Sequence, residues 1–121
     1  MPLSLHQQMI VHHLNVCYMA QKSFKDLIDS EKPVLIDFYA DWCGPCRMLS
    51  PMIEEIKKEM GDKVTIVKID VDRNQQLASA LGIMSIPTVM IFQSGEAKWR
   101  AAGVQPKQVM IQQLEALTVP A

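Results

Sequence analysis

Apolar positions along this chain change period several times, and each change marks an expected element. The most continuous apolar run, Val34-Leu35-Ile36-Asp37-Phe38-Tyr39, follows Pro33 and is interrupted by a single carboxylate. A strand-length run that is apolar at nearly every position suits a strand covered on both faces, as in a parallel sheet. Downstream, Leu49, Met52, Ile53, Ile56 and Met60 recur at helical spacing and predict a helix from about Cys43 to Met60. Pro51 lies inside that pattern and is expected to kink it. Gly61-Asp62 ends the helix, and Val64–Ile69 reads as the next strand. Strand, helix and strand at this spacing predict a right-handed βαβ unit.

Ser23 with Asp26 resembles a capping arrangement that opens a short helix to about Ser30. Asn74 is placed to cap another helix to about Leu81, with Gly82 as its stop. Thr88–Phe92 and Ala97–Ala101 read as strands joined across Ser94-Gly95, a hairpin signal. Gln105-Pro106 starts a last helix to about Leu117, whose inward face is Met110, Ile111, Leu114 and Leu117. Residues 1–18 lack charge and any clean period. They read as an arm or upstream extension outside a domain spanning 19–121, with a short strand around Met9–Val11 as an equal alternative. There is no internal repeat and no second domain. The expected fold class is α/β, a central mixed sheet with helices on both faces.

At 121 residues and 49% hydrophobic, the chain is long enough for one domain with a real core. A net charge of −1 with interleaved signs gives no footprint for nucleic acid or an anionic membrane. No apolar run reaches the length of a membrane span. The first twenty residues hold no Lys or Arg, and His12-His13 breaks their apolar stretch, so no secretory signal is expected. Three cysteines, with Cys17 in no evident pair, favour a reducing compartment. The expectation is a cytoplasmic monomer.

Candidate chemistry centres on Trp42-Cys43-Gly44-Pro45-Cys46. Two residues between thiols let the sulfurs meet if the segment opens a helix, with the first thiol exposed at its N-terminus. Unpaired N–H groups and the positive dipole end then favour a thiolate. Proline is tolerated in that first turn. The alternatives are half of a zinc site or a structural bridge. Zinc normally needs a second Cys or His pair, and Cys17 with the adjacent His12 and His13 does not supply that spacing. No metal is expected. A bridge across so short a loop adds little loop-closure stabilisation, so redox work is the better reading.

Asp37 interrupts the most apolar strand, where an unpaired carboxylate is costly. The route through Asp41-Trp42 can bring it beneath the dithiol, where burial raises its pKa and suits it to take a proton. An edge or strand-end aspartate that simply reaches solvent is the lesser alternative. Lys68 can pair with Asp37 across the sheet or sit at a solvated strand end. Ile86-Pro87 opens a strand, a place where proline is tolerated. From the residues alone its bond is expected to be trans, as most are. Cys17 reads as a free thiol, with intermolecular pairing or regulatory oxidation as alternatives. Most of the nine methionines fall at core positions and read as core fillers in preference to a metal-binding or adaptive surface, and Trp99 reads as a packing residue.

The order Asp37, Trp42-Cys43-Gly44-Pro45-Cys46, Pro51, Lys68, Ile86-Pro87-Thr88 and Gly103 resembles the thioredoxin family, notably its bacterial Cys-Gly-Pro-Cys members. The resemblance covers about Phe24 to Leu117. It implies a thioredoxin fold, a cis Ile86–Pro87 bond facing the cysteines, and a buried Asp37 behind them. It also implies a substrate rim of Trp42, Gly44, Pro45, Ile86, Pro87 and Gly103. The implied activity is reduction of disulfides in protein substrates. Cys43 attacks, and the less exposed Cys46 resolves with help from Asp37 and Lys68. The redox-active disulfide Cys43–Cys46 takes the place of a bound cofactor, and a thioredoxin reductase, fed by NADPH, is the implied recycling partner. Gly44-Pro45 resembles reducing members; an oxidase or isomerase, or a non-catalytic binding subunit, are the competing readings. Two departures stand out: Tyr39 replaces a common tryptophan, and the family's first strand is hard to find in residues 1–20.

Overall fold

The computed structural model describes residues 24–118. The N-terminal arm, the strand proposed at Met9–Val11, Cys17, the His12-His13 pair and the Ser23 cap lie outside the described residues. Residues 24–28 are helical (α1). They are followed by β1 (Val34–Tyr39), α2 (Gly44–Met60), a 3-10 turn (Gly61–Lys63), β2 (Thr65–Asp70), α3 (Gln75–Ala80), β3 (Thr88–Gln93), β4 (Glu96–Ala102) and α4 (Lys107–Thr118).

The strands pair in the order β2-β1-β3-β4. β1 runs parallel to β2 and antiparallel to β3, which is antiparallel to β4. Every residue from Val34 to Phe38 has no solvent exposure. This accounts for the nearly continuous apolar run: a central strand with helices on both faces has no side left for water. Alternation along β1 sends Val34, Ile36 and Phe38 to one face, where they meet Ile28 of α1, Met90, Phe92, and Leu81 and Ile83 beyond α3. Leu35 points to the other face and packs with Leu49, Ile53 and Ile56 of α2 and Met110, Ile111 and Leu114 of α4. Asp37, two residues along, shares that second face.

The 93–96 turn follows its sequence signal. Ser94 and Gly95 both have positive φ, 52° and 82°, and Gln93 pairs with Glu96. Two left-handed residues match the twist of the flanking strands. The ladder then slips between Ile91 and Phe92, which pair with Trp99 and Ala97 and leave Lys98 unopposed. Trp99 is half-buried against the α2–α4 core, a packing residue as expected.

Some expectations shift. β2 starts at Thr65, because Val64 still terminates the 3-10 turn that follows α2. α2 starts at Gly44, with Cys43 as its cap, and carries Pro51 inside it. Asn74 stands at the N-cap position of α3, but its side chain makes no cap bond there. Its amide donates instead to the Asp70 carbonyl at 2.9 Å, anchoring the helix start to the end of β2.

Candidate active site

The end of β1 delivers the chain into a turn closed by the Cys43 N–H donating to the Ala40 carbonyl at 3.2 Å. Cys43 is extended (φ −87°, ψ 111°) and caps α2, with Gly44 and Pro45 in the first turn. Its Sγ accepts the Cys46 N–H at 3.2 Å. That donor is one of the amides a helix start leaves unpaired, and no acidic residue in the first turn offsets the positive dipole end. Both effects favour a thiolate at Cys43 over one at Cys46, which lies inside the helix. The two sulfurs form a disulfide, with Cα atoms 5.3 Å apart.

Cys43 is not the more exposed cysteine. The two are 3% and 5% exposed, because the bridged sulfurs pack with Ala40 against Tyr39, Val71 and Ile86. Their chemical difference lies in their place at the helix start and not in access to water.

Asp37 is fully buried, and neither carboxylate oxygen has a hydrogen-bond partner among the described residues. Burial pushes its carboxyl from the ordinary 3.8 up to about 6, with the positive charge of Lys68 opposing the rise. Asp37 is thus buried, as the favoured reading expects, and the solvent-reaching alternative falls, because both faces of β1 are covered. Lys68 is its direct partner in the β1–β2 register, yet is exposed. The Lys68 Nζ donates to Ser50 Oγ at 3.1 Å and lies 4.7 Å from the centre of the Tyr39 ring.

The Ile86–Pro87 bond is cis, against the expectation from the residues alone and in line with the resemblance. Ile86 packs on the cysteine cluster. The Pro87 carbonyl accepts the Gly103 N–H at 2.8 Å, and Gly103 has φ +87°, a conformation that favours glycine. Around the disulfide, Trp42 is 71% exposed, and Gly44 and Pro45 are also exposed. Ile86 and Gly103 are half-buried and Pro87 is buried.

Sequence reasoning missed two residues here. Asp72 accepts the Trp42 indole N–H at 2.8 Å through Oδ2. Its one local signal was an Asp-rich turn, in which Asp70 Oδ1 accepts from the Asp72 and Arg73 amides. Met84 is 94% exposed two residues before Ile86. Counting methionines as core fillers hid it. No group of three His, Cys, Asp or Glu placed to hold a metal occurs among the described residues.

A disulfide at a helix start, packed against the residue before a cis-proline and reached from a strand that carries a buried carboxylate, defines a thiol–disulfide oxidoreductase. The thioredoxin family model matches residues 15–116. A thioredoxin of Bacillus subtilis is 52% identical over 81 residues, 67% of this chain and 78% of that protein. One from Rickettsia felis is 47% identical over 87 residues, 72% and 83% of the two chains. Among solved structures, the N21Q mutant thioredoxin from Halobacterium salinarum has a TM-score of 0.73 at 39% identity, covering 81% of this chain and 85% of that one. The chain belongs to the thioredoxin family. It is a thiol–disulfide reductase with the thioredoxin fold, of a family that uses a redox-active cysteine pair rather than a bound cofactor.

Proposed function

We propose that this chain reduces disulfides in cytosolic protein substrates, with Cys43 as the attacking thiolate, Cys46 as the resolving thiol and Asp37 as the proton acceptor. The observation that carries the assignment is the Cys46 N–H donating to Cys43 Sγ at the start of α2, a contact that stabilises charge on one sulfur of the pair. Cys43 attacks one sulfur of the substrate disulfide, and the other leaves as a thiolate. Cys46 gives its proton to Asp37 and attacks Cys43 Sγ. The second substrate sulfur leaves, so the substrate gains two electrons and the Cys43–Cys46 bond forms.

Trp42, Gly44, Pro45, Ile86, Pro87 and Gly103 form the rim that receives an extended substrate segment. Lys68 tunes Asp37 by its charge. The protein acts as a cytoplasmic monomer, and a thioredoxin reductase drawing on NADPH returns it to the dithiol. No helix among the described residues is long and apolar enough to cross a membrane.

Insulin reduction tests the roles. Wild type turns over, Cys43→Ser is inactive, and Cys46→Ser accumulates a mixed disulfide. Sustained turnover by Cys46→Ser overturns the scheme.

A further inference from the structure

Side chains at paired positions of parallel neighbours point to the same face, so Lys68 of β2 sits beside Asp37 of β1 on the α2 side. Lys68 is exposed, and a long lysine stem normally carries its ammonium out to water. Here two contacts from different elements hold it back. Ser50, from the second turn of α2, accepts from Nζ at 3.1 Å, and the Tyr39 ring of β1 lies 4.7 Å beneath it. Both partners are uncharged, so the positive charge is kept and only its location is fixed.

We propose that Ser50 and Tyr39 are positioning residues: together they hold the Lys68 ammonium on the α2 face of the sheet, where its charge acts on Asp37 and helps keep that buried carboxylate ionised. The proposal rests on the reading of Asp37 as the base, since a base must be ionised before it accepts the Cys46 proton. In the sheet register Lys68 of β2 and apolar Val89 of β3 flank Asp37, Tyr39 shares its face two residues along β1, and Ser50 of α2 reaches that face through its bond to Lys68. Among the described residues, Lys68 is the one charge that opposes the effect of burial on Asp37. A charge–charge interaction weakens with distance and with water between the charges. A Lys68 released into solvent therefore acts on Asp37 less than one held in place.

The test is a carbon-13 NMR titration of the Asp37 carboxyl in the full-length oxidised protein. Ser50→Ala is expected to move the midpoint upward by about half a pH unit. Ser50→Thr, which keeps the hydroxyl, restores the wild-type midpoint. Tyr39→Leu moves it in the same direction as Ser50→Ala, and Tyr39→Phe does not. Lys68→Met gives a larger rise, and adding Ser50→Ala to Lys68→Met gives no further change. An unmoved or lowered midpoint in Ser50→Ala overturns the proposal, as does an equal rise when Lys68 is absent. The titration needs no turnover, so it is distinct from the test of Asp37 as base. There, the rate of mixed-disulfide resolution in Asp37→Asn decides, and an unchanged rate removes Asp37 from the mechanism whatever the titration shows.

Discussion

Asp37 and Lys68 lie directly opposite each other in the parallel register of β1 and β2, and no hydrogen bond joins them. The Lys68 Nζ is bonded to Ser50, while the Asp37 carboxyl is buried without a partner. A fully paired Asp37 would be ionised at every physiological pH and would be a poor proton acceptor. An isolated one in an apolar strand would stay protonated. The observed arrangement lies between these limits, with the carboxyl pushed up to about 6, close to the range in which a thiol can transfer its proton.

That placement sets a pH dependence of stability. The folded value of about 6 exceeds the ordinary 3.8, so the folded state holds this proton more tightly than the unfolded state. The resulting stabilisation is full below pH 3.8 and is lost as pH rises through about 6, by on the order of 3 kcal/mol. Asp37→Asn carries no such loss. Urea denaturation of both proteins is expected to show a small difference near pH 4, growing to favour the variant by about 3 kcal/mol at pH 7.5. A difference that stays constant with pH would show that burial does not perturb Asp37.

Adjacent residues of α2 give a second contrast. Leu49 is fully buried between the sheet and α4, whereas Met48 is 66% exposed. Leu49→Ala is expected to cost about 2–5 kcal/mol through lost burial and a cavity. Met48→Ala should stay within about 0.5 kcal/mol. Equal costs in urea would place the buried face of α2 wrongly.

Where the sequence was legible, the cause was local or periodic. The apolar run of β1, the helical spacing of Leu49, Ile53, Ile56 and Met60, and the Ser94-Gly95 turn each carry their structure within a few residues. The relations missed join side chains far apart in sequence. Trp42 meets Asp72 across thirty positions and Lys68 meets Ser50 across eighteen, and no period encodes such choices. Asn74 shows competition of another kind: its side chain is turned so that its nitrogen donates to the Asp70 carbonyl, and its oxygen accepts no backbone N–H of α3. The cis bond at Pro87 followed from the resemblance, since most X–Pro bonds are trans.

Gly103 separates strain from chemistry. A Cβ added there meets no atom within 4 Å, so space is available, but φ of +87° disfavours any other residue. Gly103→Ala is expected to cost about 1–2 kcal/mol from backbone strain. It should also weaken insulin reduction, because the Gly103 N–H is bonded to Pro87 beside the disulfide. Gly95→Ala, with φ of +82° at the hairpin tip, carries similar strain and should leave turnover per folded molecule intact. Equal loss of activity in both variants would reduce the Gly103 effect to stability alone.

Arg100 supplies the last prediction. It lies on β4 opposite Met90, and its guanidinium donates to the carbonyls of Leu81 and Gly82 at the end of α3. Such carbonyls lack intrahelical partners, and a two-pronged donor can satisfy both. From Gly82 the chain reaches Pro87 in five residues, so Arg100 holds the near end of the segment whose far end touches the cysteine cluster. Arg100→Met keeps the stem and removes the donors. It should lower stability by about 1 kcal/mol and raise KM for a protein disulfide while leaving kcat unchanged. Arg100→Lys presents a single ammonium in place of the fork and should recover only part of the loss. Steady-state insulin reduction by both variants decides the matter: a KM unchanged in Arg100→Met would mean that the segment before Ile86 is held without the guanidinium.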